Sequence, residues 1–400
     1  MRSGGRSRAP DTCRKRRLMI IAAYVCAVGC ALVLALNFSA LAVTARKCRA
    51  RPRNLPAPAN APAVSIVRPL RGLEAFSRET LTATFELDYP DYEIIFCVQS
   101  PNDPIIPMVR EVIAAYPDHA ARLLIGDDYV SANPKLNNCV KGWEAARHGF
   151  VILADSNALT PRDYIQTMLA AFRDDTAMTV SMPIGSRPGG FFAHVECAIL
   201  NTFQARWQYG AEFVGAGFAQ GKNMMWRREV LDRAGGIRAL ASDLAEDAAS
   251  TKVIRAAGMK VRLVDMPFEQ PLGPRTLREV YSRHVRWARL RRATFPAWFG
   301  IEILNGNLPP AALGAWAALQ FDIDPLLAAG AILATLYAGE MALARVCRWT
   351  IDWRAPFAFL LRDAMLPIMF IDALLYDDFV WHGEAMSVRE DEAQESSAAS

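Results

Sequence analysis

From Leu18 to Ala45 the chain runs for twenty-eight residues without a charged side chain, and no other feature restricts its folding as much. About 20 apolar residues of helix span a bilayer core, so a fold free in water would have to bury the whole run. Arg14, Lys15, Arg16 and Arg17 precede it, and Arg46, Lys47, Arg49, Arg51 and Arg53 follow it. The alternative is a secretory signal cleaved near Ser39-Ala40-Leu41-Ala42. The apolar core of such a signal is only about 7–15 residues long, which favours an uncleaved transmembrane anchor. Because both flanks are basic, the positive-inside rule does not orient it.

The 400 residues suit one large domain with attachments. Hydrophobic residues make up 52% and the mean hydropathy is +0.10, which excludes a disordered chain and is apolar for a soluble enzyme. The formal charge of +4 is too small to argue for a nucleic-acid partner. The eight cysteines form no CxxC pair and the five histidines stand apart. Neither a disulfide framework nor a zinc site is expected, and a reducing compartment fits best.

The composition divides the chain into a basic segment (1–17), the anchor (18–45), a basic and Pro/Ala-rich linker (46–63), an α/β domain (64–296), a C-terminal membrane-associated helical region (297–385) and an acidic disordered tail (386–400). In the C-terminal region, Ile303–Phe321 and Pro325–Gly339 carry no charge, whereas Pro356–Tyr376 is interrupted by Arg362, Asp363 and Asp372. Re-entrant or interfacial helices packed together fit this pattern as well as simple crossings, because charges buried there need partners.

Between residues 64 and 268, apolar β-type runs alternate with helical patterns. Strands are predicted at Val64–Val67, Tyr92–Val98, Ala121–Ile125, Phe150–Ala154, Met178–Met182 and Val261–Val264, and helices at 74–86, 105–116, 135–147, 162–173 and 244–257. Such alternation predicts a mostly parallel sheet covered on both faces. Ligands bind beyond the carboxyl ends of its strands, so polar residues just after a strand become candidates.

Asp103 follows the second strand; with Pro104 after it, it also fits an ordinary helix cap. Asp155 closes the strand FVILAD and precedes Ser156 and Asn157. That arrangement suits a divalent cation and the phosphates it bridges, or simply an Asx turn. Asp243 and Glu246 have the spacing of a capping box, which leaves Asp247 without that duty. Beside another carboxylate its pKa would rise, as a general base requires; an acidic first turn that favours the helix dipole is the plainer reading. In the last helical pattern, Thr276–Arg292, the residues Arg283, Arg286 and Trp287 share one face. Guanidinium groups there can grip a diphosphate. A basic helix beside apolar segments can also lie on anionic lipid, the reading preferred for Arg278, Arg289, Arg291 and Arg292.

The order of these signals is more specific than any one of them. Asp after a strand, Asp after a later strand, an acidic pair and then RxxRW resembles the membrane-bound inverting glycosyltransferases with D, D, D, (Q/R)xxRW motifs, and more narrowly the ceramide glucosyltransferase family. The resemblance rests on VSIVRPLRGLE (64–74), FELDYPDYEIIFCVQSPNDP (85–104), NPKLNN (133–138), LADS (153–156), GKNMMWRREVLDRAGG (221–236), LAEDA (244–248) and RHVRW (283–287).

The resemblance implies a GT-A fold, Rossmann-like, with an N-terminal transmembrane helix and C-terminal membrane-associated helices. It implies that Asp103, Asp155, Arg283, Arg286 and Trp287 bind a nucleotide sugar, that Asp155 holds Mg²⁺ or Mn²⁺, and that Asp247 is the catalytic base. The donor would be UDP-glucose and the acceptor the primary hydroxyl of ceramide, inverted to a β-glucosylceramide. The enzyme would be a multi-pass protein of the bacterial inner membrane, with its catalytic domain on the cytoplasmic face. Two departures stand out: Ser-Asn follows Asp155 instead of a D-x-D, and Gln204 occupies the place of a histidine implicated in inhibitor binding in vertebrate relatives. UDP-glucuronate or UDP-N-acetylglucosamine as donor, and a hopanoid or other lipid as acceptor, remain alternatives. Glucuronate would need an extra cation such as Arg187 or Arg206. A non-catalytic scaffold that retained the fold is the alternative from another class.

Overall fold

The computed structural model describes residues 9–52, 54–381 and 384–388. The first eight residues of the basic segment, Arg53 of the anchor's basic flank and the acidic tail beyond residue 388 lie outside the described residues.

A seven-stranded sheet forms the centre, in the order β3-β2-β1-β4-β7-β5-β8. Its strands are β1 (Val64–Leu70), β2 (Tyr92–Val98), β3 (Ala120–Ile125), β4 (Phe150–Ala154), β5 (Thr176–Val180), β7 (Asn223–Arg227) and β8 (Lys260–Leu263). Six run parallel, and β7 alone is antiparallel, wedged between β4 and β5. Two short strands outside it, β6 (Ile184–Pro188) and β9 (Glu269–Gly273), pair in parallel. A hairpin of β10 (Asp378–Trp381) and β11 (Glu384–Ser387) closes the described chain, so the end of the expected helical region and the first residues of the expected disordered tail, Met386 and Ser387, are strand instead.

The helices are α1 (Ala9–Cys48), α2 (Ser77–Thr82), α3 (Ile106–Ala115), α4 (Pro134–Ala145), α5 (Tyr164–Ala170), α6 (Phe191–Cys197), α7 (Arg206–Phe213), α8 (Arg228–Arg233), α9 (Glu246–Ala256), α10 (Leu277–Thr294), α11 (Pro296–Glu302), α12 (Leu308–Gln320), α13 (Pro325–Cys347) and α14 (Ala355–Leu375). A π-helical segment, Ala198–Ala205, joins α6 to α7. Every residue of β1 is buried, as expected of a parallel strand covered on both faces. On one face Val67, Ile95 and Leu153 meet Leu136, Val140 and Trp143 of α4 and Ile254 of α9. On the other, Ile66 and Ile152 meet Tyr164 and Met168 of α5, while Ile94 and Phe96 meet Val109 of α3.

The expected strands and helices all form, with shifts of a few residues at their ends. Two interpretations of the helix starts do not survive. Asp103 does not cap α3, which begins at Ile106 behind Ile105; its carboxylate takes other partners, described below. Asp243 and Glu246 do not form a capping box, because α9 starts behind Ala245 without a side-chain cap. Asp243 instead pairs with Lys252 at 2.5 Å. The capping box of this chain is Thr276 with Glu279, at the start of α10.

Among the described residues, α1 and α13 are the two helices long and apolar enough to cross a bilayer. Leu18, Ile21, Val25, Val28 and Leu32 on α1 stay exposed, whereas Leu41 and Cys48 near its end join the core of the central sheet. Lys47 pairs with Glu212 of α7, so α1 is fixed to the α/β domain. The charges of the C-terminal region do find partners, as the interrupted apolar pattern requires. Glu340 of α13 and Arg362 of α14 are wholly buried and lie 2.5 Å apart. Asn307 donates to Glu340 at 2.8 Å and to Asp363 at 3.1 Å, and Tyr337 donates to Asp363 at 2.9 Å.

The lipid-surface reading of the α10 arginines is corrected for three of the four. Arg289 pairs with Asp372 at 2.5 Å, Arg291 with Glu302 at 2.7 Å, and Arg292 with Asp377. The carboxylates around α14 need counter-charges, and α10 packs beside them; Arg278 alone is exposed.

Candidate active site

The antiparallel strand positions the site. Register pairs Ala154 of β4 with Asn223 of β7, so the residues leading into β7 meet those leaving β4. The Asp155 amide donates to the Lys222 carbonyl at 2.9 Å, and Lys222 Nζ lies 2.6 Å from Asp155 Oδ2. From the first turn of α4, Lys135 Nζ reaches 2.6 Å from Asp155 Oδ1 and 2.6 Å from Glu246 Oε1. It also donates to the Gly221 carbonyl. The Gly221 amide in turn donates to Asp247 Oδ2 at 3.0 Å, and the Ala248 amide to Asp247 Oδ1 at 2.9 Å. Asp155, Asp247, Glu246, Lys135 and Lys222 thus form one connected cluster at the carboxyl edge of the sheet.

The two aspartates experience opposite fields. Burial pushes the Asp155 carboxyl up, but Lys135 and Lys222 outweigh it and hold it down at about 2. Burial also pushes the Asp247 carboxyl up and the neighbouring Glu246 adds to it; Lys135 and the Gly221 and Ala248 amides oppose them, and the balance lies at about 6. One carboxylate is a fixed negative charge and the other can exchange a proton near neutrality, a division of labour typical of acid–base sites.

Helix α4 ties the loops together. Asn133 caps it by accepting from the Lys135 and Leu136 amides, and its side-chain amide donates to Glu246 Oε2 at 2.8 Å. Asn138 donates to the Leu70 and Cys97 carbonyls at 3.1 and 2.8 Å, joining the ends of β1 and β2. Arg68, buried in β1, donates to the carbonyls of Asp155, Ser156 and Ala158 at 2.8–3.1 Å. Asp103 accepts from the Gly72 amide at 3.0 Å and the Ile105 amide at 2.9 Å. It therefore fixes the turn after β1, where Gly72 holds φ +68° in a region that favours glycine.

Arg283, Arg286 and Trp287 lie on α10 and form no ion pair with the aspartates among the described residues. Arg283 lies 2.6 Å from Glu196, a wholly buried carboxylate of α6 that also holds Arg275 at 3.2 Å. The Arg286 guanidinium stacks over the Trp381 ring at 5.2 Å, and Trp287 packs on Cys197, Leu200 and Leu272. The loop behind Asp155 leads toward this helix, because the Leu159 amide donates to the Glu269 carbonyl of β9 at 2.9 Å. Arg187 and Arg206 are engaged elsewhere. Arg187 pairs with Glu79 at 2.6 Å, and Arg206 is wholly buried 3.4 Å from Glu340.

No role for Lys135, Lys222, Asn133, Gly221 or Glu196 is legible in the sequence. The blocks NPKLNN and GKN were visible as landmarks of the resemblance, but nothing local to them indicates a carboxylate cluster. For a divalent cation, Asp155, Ser156 and Asn157 offer the oxygen ligands that Mg²⁺ and Mn²⁺ prefer. Glu74 lies 3.2 Å from the Asn157 amide and 3.3 Å from the Ser156 hydroxyl. Among the described residues no group of three His, Cys, Asp or Glu side chains surrounds a common point. A cation held at Asp155 would share that carboxylate with Lys135 and Lys222 and would find further oxygens on Ser156 and Asn157.

Residues 28–394 match the model of glycosyl transferase family 21. Ceramide glucosyltransferase 1 of Caenorhabditis elegans is 26% identical over 343 residues, covering 80% of this chain and 70% of that protein. The ceramide glucosyltransferase of Komagataella phaffii is 39% identical over 109 residues, 26% of this chain and 21% of that one. Among solved structures, a mannosyltransferase from Pyrobaculum calidifontis in complex with GDP-mannose and Mn²⁺ superposes with a TM-score of 0.52. It is 16% identical and covers 89% of this chain and 98% of its own. This likeness supports the GT-A architecture.

Proposed function

The chain belongs to glycosyl transferase family 21, and from that premise we propose that it moves glucose from UDP-glucose to the primary hydroxyl of ceramide with inversion. The observation that carries the reading is Asp247, a carboxyl raised to about 6 and held by two backbone amides beside the Asp155–Lys135–Lys222 cluster. In this reaction Asp247 takes the proton of the acceptor hydroxyl as its oxygen attacks the anomeric carbon. The bond from that carbon to the diphosphate breaks, and UDP leaves with the electron pair. A single displacement converts an α-linked donor into a β-glycoside.

Arg283 and Arg286 offset the charge that grows on the departing diphosphate, and Asp103 holds the β1 turn against the nucleotide. Glu196 positions Arg283. A divalent cation bound at Asp155 would supply further positive charge to the phosphates. Glucose is preferred over glucuronate as the transferred sugar because Arg187 and Arg206 are both committed to other carboxylates. A two-chain lipid does not leave the bilayer readily, so α1 and α13 as membrane spans keep the site at the surface. UDP-sugars are cytosolic, which puts residues 64–296 on the cytoplasmic side of a multi-pass protein.

The test is purified full-length enzyme incubated with ceramide and each of UDP-glucose, UDP-glucuronate and UDP-N-acetylglucosamine, with products identified by mass. A hexosylceramide with a β-linkage is expected from UDP-glucose. A product from another donor only would keep the reaction and replace the sugar, and no product from any lipid acceptor would favour the scaffold reading.

Two further results are expected. Turnover needs Asp247 ionised, so the rate should fall about tenfold for each pH unit below about 6 and level off above it; a profile flat between pH 5 and 7 would exclude Asp247 as the titrating base. At Gly221 an added Cβ would stand 2.8 Å from Glu246 Oε1 and 3.3 Å from Asp247 Oδ2. The Cβ must push Glu246 aside and crowds Lys135 and the base beside it, so Gly221→Ala is expected to lose about tenfold in kcat. Unchanged kcat in this variant would show that the Gly221 turn does not set the base geometry.

A further inference from the structure

Helix α10 has a second face that the reaction above does not use. Between it, α12, α14 and the π-helical segment lies a cavity of about 230 Å³. Its walls are mostly apolar, with Ile199, Phe203, Leu308, Leu366, Met369 and Phe370 among them. His284 and Gln204 reach it from one side. His284 is 3% exposed, and its Nδ1 lies 3.4 Å from Gln204 Nε2. Its other ring nitrogen, Nε2, is buried without a hydrogen-bond partner. Native proteins rarely leave such an atom unpaired.

The chemistry of that atom is specific. Burial, and then the neighbouring Arg283, Arg291 and Arg286, push the imidazole well below its ordinary pKa, so the ring is neutral. With the Gln204 amide donating to Nδ1, the ring proton sits on Nε2, and the orphan is an N–H donor. The ring also packs edge-on against Trp287, with centroids 5.0 Å apart at 85°. The cavity therefore adjoins the RxxRW residues on one side and the apolar C-terminal helices on the other.

We propose that this cavity binds the acceptor lipid: a short stretch of one hydrocarbon chain lies on the apolar walls, and a carbonyl or hydroxyl oxygen at its polar end accepts from His284 Nε2–H. The proposal rests on the reading of the chain as a lipid glycosyltransferase and assigns that reading an acceptor subsite. The position of Gln204 gains a meaning here, since it selects which His284 nitrogen carries the proton.

The experiment uses full-length enzyme in nanodiscs with a short-chain N-acyl sphingoid base as acceptor. His284→Leu removes the donor, His284→Gln retains one, and Ala312→Phe narrows the cavity from α12 while keeping the histidine. His284→Leu is expected to raise the acceptor KM about 3- to 10-fold, the worth of one hydrogen bond, and Ala312→Phe to raise it by excluding the hydrocarbon chain, with the UDP-sugar KM unchanged in both. His284→Gln should recover part of the loss. Wild-type acceptor KM in both His284→Leu and Ala312→Phe would overturn the proposal.

Labelling with a diazirine-bearing sphingolipid reads the cavity independently of turnover. Labelled Leu366 or Met369, lost in Ala312→Phe, is the expected result. Labelling there in an enzyme that makes no glycolipid would leave the subsite standing and reject the reaction. Labelling confined to other residues, or blocked as well by a free fatty acid as by the sphingolipid, would reject the acceptor subsite.

Discussion

Asp247→Asn is expected to lower kcat by about 10²–10⁴, the usual contribution of a general base, while leaving UDP-sugar affinity near that of the parent enzyme. The substitution keeps the size of the side chain, and the amide oxygen can still accept from Gly221 or Ala248. What disappears is the ability to take a proton from the acceptor hydroxyl at neutral pH. In the proposed reaction donor affinity rests on other groups, Arg283 and Arg286 on α10 and the loops fixed by Asp103 and Arg68, none of which pairs with Asp247. Steady-state kinetics with UDP binding by calorimetry separates the two quantities. A variant with near-normal kcat would place the base elsewhere, and a variant that lost UDP binding in step with kcat would make Asp247 a donor ligand instead.

Much of the fold was legible because burial and composition agree. β1, β2 and β4 are rich in Val, Ile and Leu, lie buried on both faces and end in the residues that the site uses. β7 was not legible. Its sequence, Asn-Met-Met-Trp-Arg, contains no β-branched residue, and its strand geometry comes from being wedged between β4 and β5 rather than from propensity. Missing that strand meant missing why Lys222 faces Asp155 and Gly221 faces Asp247.

The capping boxes show the same limit. Asp243 with Glu246 and Thr276 with Glu279 have equal spacing, but only the second forms, because Lys135 and Asn133 draw the Glu246 carboxylate away. Those partners lie more than a hundred positions earlier in the chain, beyond any local pattern. The aspartates and the RxxRW residues were found from order along the chain; their counter-charges belong to the tertiary structure.

Lys135→Met is expected to have the largest effect on stability in the α/β domain, about 3–5 kcal/mol lost, the typical result of removing one partner from a buried ion pair. The ammonium sits 2.6 Å from both Asp155 and Glu246, and all three side chains are largely buried. Methionine would keep the volume and leave two carboxylates facing one another across an apolar gap. Lys222 still neutralises part of Asp155, but no second cation reaches Glu246 among the described residues.

The same substitution has a second, directional consequence. Lys135 is one of the groups that hold the Asp247 carboxyl down, so its loss should push that carboxyl further up. The acid limb of the rate profile should then move to higher pH, slowing the enzyme at neutral pH even where it remains folded. Lys135→Arg should restore charge but only part of the stability, because a planar fork cannot place one nitrogen on Asp155, Glu246 and the Gly221 carbonyl together. Denaturation midpoints and pH–rate profiles of the two variants test both expectations. A methionine variant with parental stability and an unmoved acid limb would mean that α4 merely covers the sheet. The expected pair of shifts would make its first turn the point through which Asp155 and Asp247 are kept at opposite ends of the carboxylate range.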